Sequence, residues 1–171
     1  DGHGTAKAQV GGADVTSAAP GAAVTLVATA DDGYAFKEWQ IVRGLEAGAI
    51  TDNSFTMPSK EVKVKAVFEK EYAVEAEAGG HGTVSADVAK GVSGKEVNLT
   101  ITPDAGYETD QITVVRGGVT VVDNKFNIGT ADVKIRVTFK AIVPDTYGII
   151  VEDDGHGTAK AQVGGADVTS A

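Results

Sequence analysis

The stretch DGHGTAKAQVGGADVTSA fills residues 1–18 and returns without a change at 154–171. Identity over that length does not arise by chance, so the chain is slightly more than one period of a tandem array, with a period of 153 residues (154 less 1). A weaker duplication lies inside the period. GHGTAKAQV at 2–10 matches GHGTVSADV at 80–88, AVTLVATADDGY at 23–34 matches EVNLTITPDAGY at 96–107, and DNSFTMPSKEVKVKAVF at 52–68 matches DNKFNIGTADVKIRVTF at 123–139. The offset falls along the chain from 78 (80 less 2) to 73 (96 less 23) to 71 (123 less 52), which places two deletions in the second copy, both between matching blocks where loops tolerate them.

EYAVEAEAGGHGT at 71–83 also aligns with TYGIIVEDDGHGT at 146–158, so each copy is expected to begin with an apolar strand ahead of its Gly-His-Gly-Thr turn. The organisation expected is a module at 1–70 without that first strand, a second at 71–141, and the first strands only of a third at 142–171. The chain opens at Asp1 with no Met, which reads as an excised fragment. Its connectors are short, Glu69–Glu71 and then Ala141–Asp145 with Pro144, and read as joints in a rod.

Apolar and polar residues alternate with a period of two. Val62, Val64, Ala66 and Phe68 share one face against Glu61, Lys63 and Lys65; Val133, Ile135, Val137 and Phe139 repeat it against Asp132, Lys134 and Arg136. Val24, Leu26 and Ala28 form another such face, as do Val97, Leu99 and Ile101; Tyr72, Val74 and Ala76 form a third, which Tyr147, Ile149 and Val151 repeat. No segment keeps a 3.6-residue period, so the fold class expected is all-β or nearly so: tandem small antiparallel β-sheet modules in an extended array. A copy of this size buries only ~60% of its unfolded surface, which makes contacts between copies valuable.

Fifteen Lys and Arg against 24 Asp and Glu give a net charge of −9, which disfavours nucleic acid as a partner. No apolar run approaches the roughly 20 residues of a membrane helix, and no signal-peptide or lipid-anchor motif is evident. The absence of cysteine excludes disulfides, thiolate metal sites and a Cys nucleophile.

Gly33-Tyr34-Ala35-Phe36-Lys37-Glu38-Trp39, then Phe55-Thr56-Met57-Pro58, then Val62 to Phe68 follow in order behind the Gly-His-Gly-Thr turn. This set closely resembles the divergent internalin-B-type repeats of bacterial cell-surface proteins. The resemblance covers copy one almost entirely; copy two departs from it at Thr109, Ile112 and Gly129, in the places of Phe36, Trp39 and Pro58. It implies a small extracellular β-rich module used as a spacer or adhesive repeat. Related internalin repeats are β-grasp domains, so the alternative is an α+β module with one short helix at 34–39 or 107–112. The β-branched continuations Gln40–Val42 and Thr113–Val115 favour strands there.

Candidate sites each have a simpler structural reading. His3, His81 and His156 occupy one position of the repeated turn, and one His per copy offers too few ligands for zinc. Asp31-Asp32-Gly33, Asp104-Ala105-Gly106 and Asp153-Asp154-Gly155 lack the spacing of a calcium loop and suit turns. Trp39 with Tyr34 and Phe36 could stack a sugar ring, but Ile112 in copy two marks a core position. A Lys–Asn isopeptide crosslink is disfavoured because Lys63, Lys65 and Lys134 alternate outward. The copies agree at apolar positions and turn glycines and differ at polar ones, so no catalytic, cofactor or metal site is expected.

The expected function is a non-enzymatic stalk, spacer or adhesion scaffold of a bacterial surface or secreted protein. The alternatives are a module that recognises a host protein or glycan, or an accessory repeat of a larger secreted enzyme. The expected partners are neighbouring repeats, with head-to-tail self-association in which residues 147–153 add to module one of another molecule.

Overall fold

The structure, a computed structural model, describes residues 2–144, 147–152, 154–163 and 166–167. It contains two compact units, Asp1–Lys140 and Ala141–Ala171.

The larger unit holds both modules, each with its own core between two β-layers. In module one, β1 (Gly4–Val10), β2 (Ala13–Val15), β3 (Ala23–Ala30) and β5 (Ser54–Thr56) form one antiparallel sheet in the order β2-β1-β3-β5. Val24, Leu26 and Phe55 of this sheet are buried against Trp39 of β4 (Tyr34–Arg43), Val62, and Val64 at the start of β6 (Lys63–Ala78). In module two, β7 (Gly82–Ala86), β9 (Glu96–Pro103) and β11 (Lys125–Asn127) form the matching layer, while β10 (Tyr107–Arg116) and β12 (Val133–Ala141) lie in the opposite one. Its core is fuller: Val97, Val133, Ile135 and Val137 are all at 0% exposure.

The period-two alternation named these faces correctly, and among the described residues there is no helix. Residues 34–39 and 107–112 lie inside β4 and β10, so the β-grasp alternative with a short helix does not hold. Both segments run on into β-branched residues with strand partners, which a single helical turn could not offset.

Two further findings go beyond the alternation. Residues 69–71, read from the sequence as a connector, lie in the middle of β6, a strand of 16 residues that closes module one and opens module two. β6 pairs antiparallel with β4 through Tyr34↔Lys70 and with β8 (Lys90–Val92) through Glu71↔Val92 and Ala73↔Lys90, and it pairs with β12 from Val74↔Val133 to Ala78↔Val137. The pairing with β12 is parallel, so the second layer is a mixed sheet and not a purely antiparallel one. First and last strands must run the same way if the chain is to leave one module in the direction from which it enters the next.

Turns are set locally. Asp52-Asn53 and Asp123-Asn124 have positive φ (48°, 57° and 49°, 60°) and close two-residue turns through Thr51↔Ser54 and Val122↔Lys125, the backbone twist a type I′ turn requires. Gly82 lies flat under the Phe139 ring, where an added Cβ would stand 2.6 Å from Cζ; Gly4 lies in the same way under Phe68.

In the smaller unit, β13 (Gln162–Val163) and β14 (Ala166–Asp167) pair as Gln162↔Asp167 and Val163↔Ala166. The identical sequence in module one pairs as Gln9↔Asp14 and Val10↔Ala13. The side-chain contacts also repeat: Lys7 and Gln9 reach Asp14 at 2.9 and 2.8 Å, and Lys160 and Gln162 reach Asp167 at 2.6 and 2.8 Å. The hairpin is therefore specified by its own residues. The strand expected over 147–153 is not formed: residues 147–152 have no ladder partner, and Tyr147 and Ile150 are 83% and 85% exposed. Residue 153 lies outside the described residues. An apolar segment without a neighbouring strand has nothing to complete its backbone hydrogen bonds.

Two substitutions test this packing. Gly82→Ala is expected to destabilise module two by roughly 1–3 kcal/mol through overpacking, with part of the loss recovered when Phe139→Leu is added. Ile135→Ala is expected to cost ~3 kcal/mol, more than Val64→Ala in module one. Urea unfolding of each variant measures both.

Candidate functional site

Two recurring turns and one residue of module one occupy the places where the sequence raised candidate sites: the His turn, the Asp-Gly turn and Trp39. The structure brings the first two together. The His3 ring stacks on Tyr34 with centroids 4.0 Å apart and planes 8° from parallel, and His81 stacks on Tyr107 at 4.1 Å and 4°. The Asp turn fixes this pair through its backbone: the Asp31 amide donates to the His3 carbonyl at 3.0 Å, and the Tyr34 amide to the Asp31 carbonyl at 3.0 Å. Asp104, His81 and Tyr107 repeat both bonds at the same distances. The Asp-x-Gly-Tyr turns thus act through main-chain groups to lock β3 to β4 and β9 to β10, with the histidine as a lid on the tyrosine.

His156 stands apart from this pattern, with its Nδ1 3.1 Å from the Asp154 carbonyl oxygen. Asp153, the remaining member of that third turn, lies outside the described residues. Among the described residues no three His, Asp or Glu side chains gather into a cluster able to hold a metal ion.

The first Asp turn also reaches the module junction. The Gly33 carbonyl accepts the Glu71 amide at 2.8 Å, one residue beyond the last β4–β6 pair. On the other side of the junction Lys90 pairs with the Glu71 carboxylate, and the Ala73 amide donates to Asp132 Oδ1 at 2.9 Å. The Lys90 ammonium is held above its ordinary value by the Glu71 hydrogen bond and charge, with a smaller contribution from Asp32 of module one. Lys70 lies 5.3 Å above the Tyr72 ring. Residues of both modules therefore meet at Glu69–Ala73.

Trp39 is half-buried against Val24, Leu26 and Phe55. Its indole N–H donates to Asn53 Oδ1 at 2.9 Å, and its ring is tilted 50° to Phe36 at 5.1 Å. One face is thus packed and the polar edge is satisfied within the module.

The His–Tyr stack, the glycine–Phe contacts and the junction cluster were missed in the sequence. The signal for the first two was present, since both members of each pair recur in the aligned blocks, but nothing in one sequence shows that two recurring positions touch. Lys134 also clamps β12 to β6, at 2.9 Å from Glu77 and 3.7 Å from Glu75.

With this geometry established, the chain can be placed among known proteins. Residues 1–71 and 72–143 each match the divergent InlB B-repeat domain. The chain belongs to that family. Its two B-repeats meet within β6, and the family is typical of bacterial surface and secreted proteins. No curated protein and no solved structure shows a significant match to the chain.

The acid response of the repeats follows from three carboxylates. Glu77 is held low by its hydrogen bond to Lys134, Asp87 by the side chain and then the backbone of Asn98, and Asp14 by Gln9 and then Lys7. Each pKa is depressed in the folded state, so the stabilisation is complete above the ordinary carboxylate range and is lost as pH falls through the lowered values. The urea midpoint is expected to fall as pH drops through that window. Asp87→Asn should reduce the slope for module two and leave module one unaltered.

Proposed function

We propose that the chain is a non-enzymatic spacer of a bacterial surface or secreted protein, in which B-repeats are joined into a stiff element that projects or separates other domains. The observation that carries this reading is the continuity of β6. A strand of 16 residues is ~50 Å long at ~3.3 Å per residue, and its backbone partners change from module one to module two without a break. A hinge would need unpaired residues at this point.

The direction of β12 supports the same reading. The first strand of module two, Val74–Ala78, runs parallel to the last, Val133–Val137. Tension applied at the two ends of the module pulls these strands past each other, so their hydrogen bonds are sheared together and not peeled one by one. The repeats keep packing positions in common and let polar positions diverge, which suits a scaffold more than a catalyst. Trp39, with its N–H bound inside the module and Ile112 in its place in module two, supports packing over sugar stacking.

Single-molecule pulling from the two ends tests the proposal. Module two is expected to open in one step of roughly 200 Å, at a load that Ile135→Ala lowers. Modules that extend gradually at negligible load would contradict the spacer reading.

A further inference from the structure

One strand of module one departs from regular alternation, and the departure gathers two aromatic rings. In an unbroken strand, residues three apart point to opposite faces. Phe36 and Trp39 are three apart, yet their ring centroids lie 5.1 Å from each other, with the planes inclined at 50°. The β4–β6 register supplies the reason. It steps from Phe36↔Phe68 to Glu38↔Val67, which leaves Lys37 as an extra, bulged residue. The bulge returns Trp39 to the side of Phe36.

These rings border open space. β4 is the outermost strand of its sheet. At Phe36–Trp39 it forms one wall of a surface groove of about 480 Å³, whose other wall is Ile50, Asp52 and Asn53. A smaller cavity of about 180 Å³ is lined by the same two rings and by Leu26, Val27 and Ala28. Packing of a module does not require this arrangement. Module two keeps the turn as Asp123-Asn124 but has Thr109, Gln111 and Ile112 in the places of Phe36, Glu38 and Trp39, and its core is the fuller of the two.

The chemistry of the groove selects for a cation. Its own lysine is engaged elsewhere, with Lys37 Nζ 3.3 Å from Glu69 Oε2. Glu38 and Asp52 are both exposed, and among the described residues no cation pairs with either. The Trp39 indole N–H is occupied by Asn53 Oδ1 at 2.9 Å, so the indole offers its π-face and no donor. Electron-rich ring faces beside two unpaired carboxylates attract a cation. A planar guanidinium suits them better than an ammonium, because it stacks flat on an indole while its N–H groups reach carboxylates. A chain of net charge −9 also draws basic partners towards it.

We propose that this groove of module one receives an arginine side chain from a basic segment of a partner protein, stacked on Trp39 and hydrogen-bonded through its guanidinium to Asp52 and Glu38. The site belongs to module one alone and is independent of how the modules are joined.

Trp39 is the only tryptophan, so its fluorescence and its indole N–H resonance report on this groove in the full chain. The probe is an acetylated and amidated valine–arginine–valine tripeptide, titrated at fixed ionic strength. A saturable shift of the Trp39 indole resonance is expected, while the amides around Ile112 stay in place. The same peptide with citrulline for arginine, which keeps the shape and loses the charge, is expected to bind roughly fivefold more weakly. Asp52→Asn, which suits the same turn at φ 48°, and Glu38→Gln, which installs the residue of module two, leave the circular dichroism unaltered. Each is expected to weaken binding roughly threefold. The absence of a saturable shift, equal binding of the citrulline peptide, or unchanged affinity in both variants would overturn the proposal. So would a shift produced by maltotriose and not by the arginine peptide, which would mark a glycan site. A Trp39 shift that grows with protein concentration alone would assign the groove to a second copy and overturn it as well.

Discussion

The backbone ladder across Lys70–Val74 is the constraint on which the remainder of this structure depends. Over five residues β6 passes from β4 to β8 to β12, and each step is paired: Lys70 with Tyr34, Glu71 with Val92, Tyr72 with Gly91, Ala73 with Lys90, Val74 with Val133. Buried or half-buried backbone groups must be satisfied, and here the partners come from both modules. The junction is thereby as ordered as the strands it joins. Small modules with modest cores gain from this arrangement, because the last strand of one and the first strand of the next are a single continuous strand.

Comparison of the modules shows what that shared strand contributes. The two are built on the same contacts: a glycine under a phenylalanine, a histidine on a tyrosine, an Asp-Asn turn. They differ in how deeply their closing strands are buried. Beside Tyr72–Ala78 the last strand of module two is sealed from water at Val133, Ile135 and Val137, whereas Val62 and Val64 of module one are half-buried. Trp39 and Phe36 add aromatic bulk in module one where module two has Ile112 and Thr109.

Much of this was legible in the sequence, and the reason is the period of two. Alternation at Val133, Ile135 and Val137 identifies a buried face because each side chain of a strand points opposite to the last. The duplicated blocks located the modules and their turns for the same reason, since both copies answer to one packing pattern. Strand direction and partner are different in kind. Nothing in Glu69-Lys70-Glu71 distinguishes a linker from mid-strand, because three charged residues suit either, and only the arrival of β8 and Gly33 settles it. The stacking of His3 on Tyr34 was hidden in the same way: each is visible as a recurring residue, but their contact is made by the fold. At 147–152 the alternation predicted a strand that does not form, because pattern without a partner does not make a strand.

The most direct measurement of the central claim is amide hydrogen exchange, resolved by residue, across Glu69–Val74. A continuous strand predicts that the Glu71 and Val74 amides, bonded to the Gly33 and Ala89 carbonyls, exchange as slowly as amides in the middle of β6 on either side. Rapid exchange confined to Lys70–Ala73, with slow exchange in both flanking halves, would reveal a hinge and contradict the account.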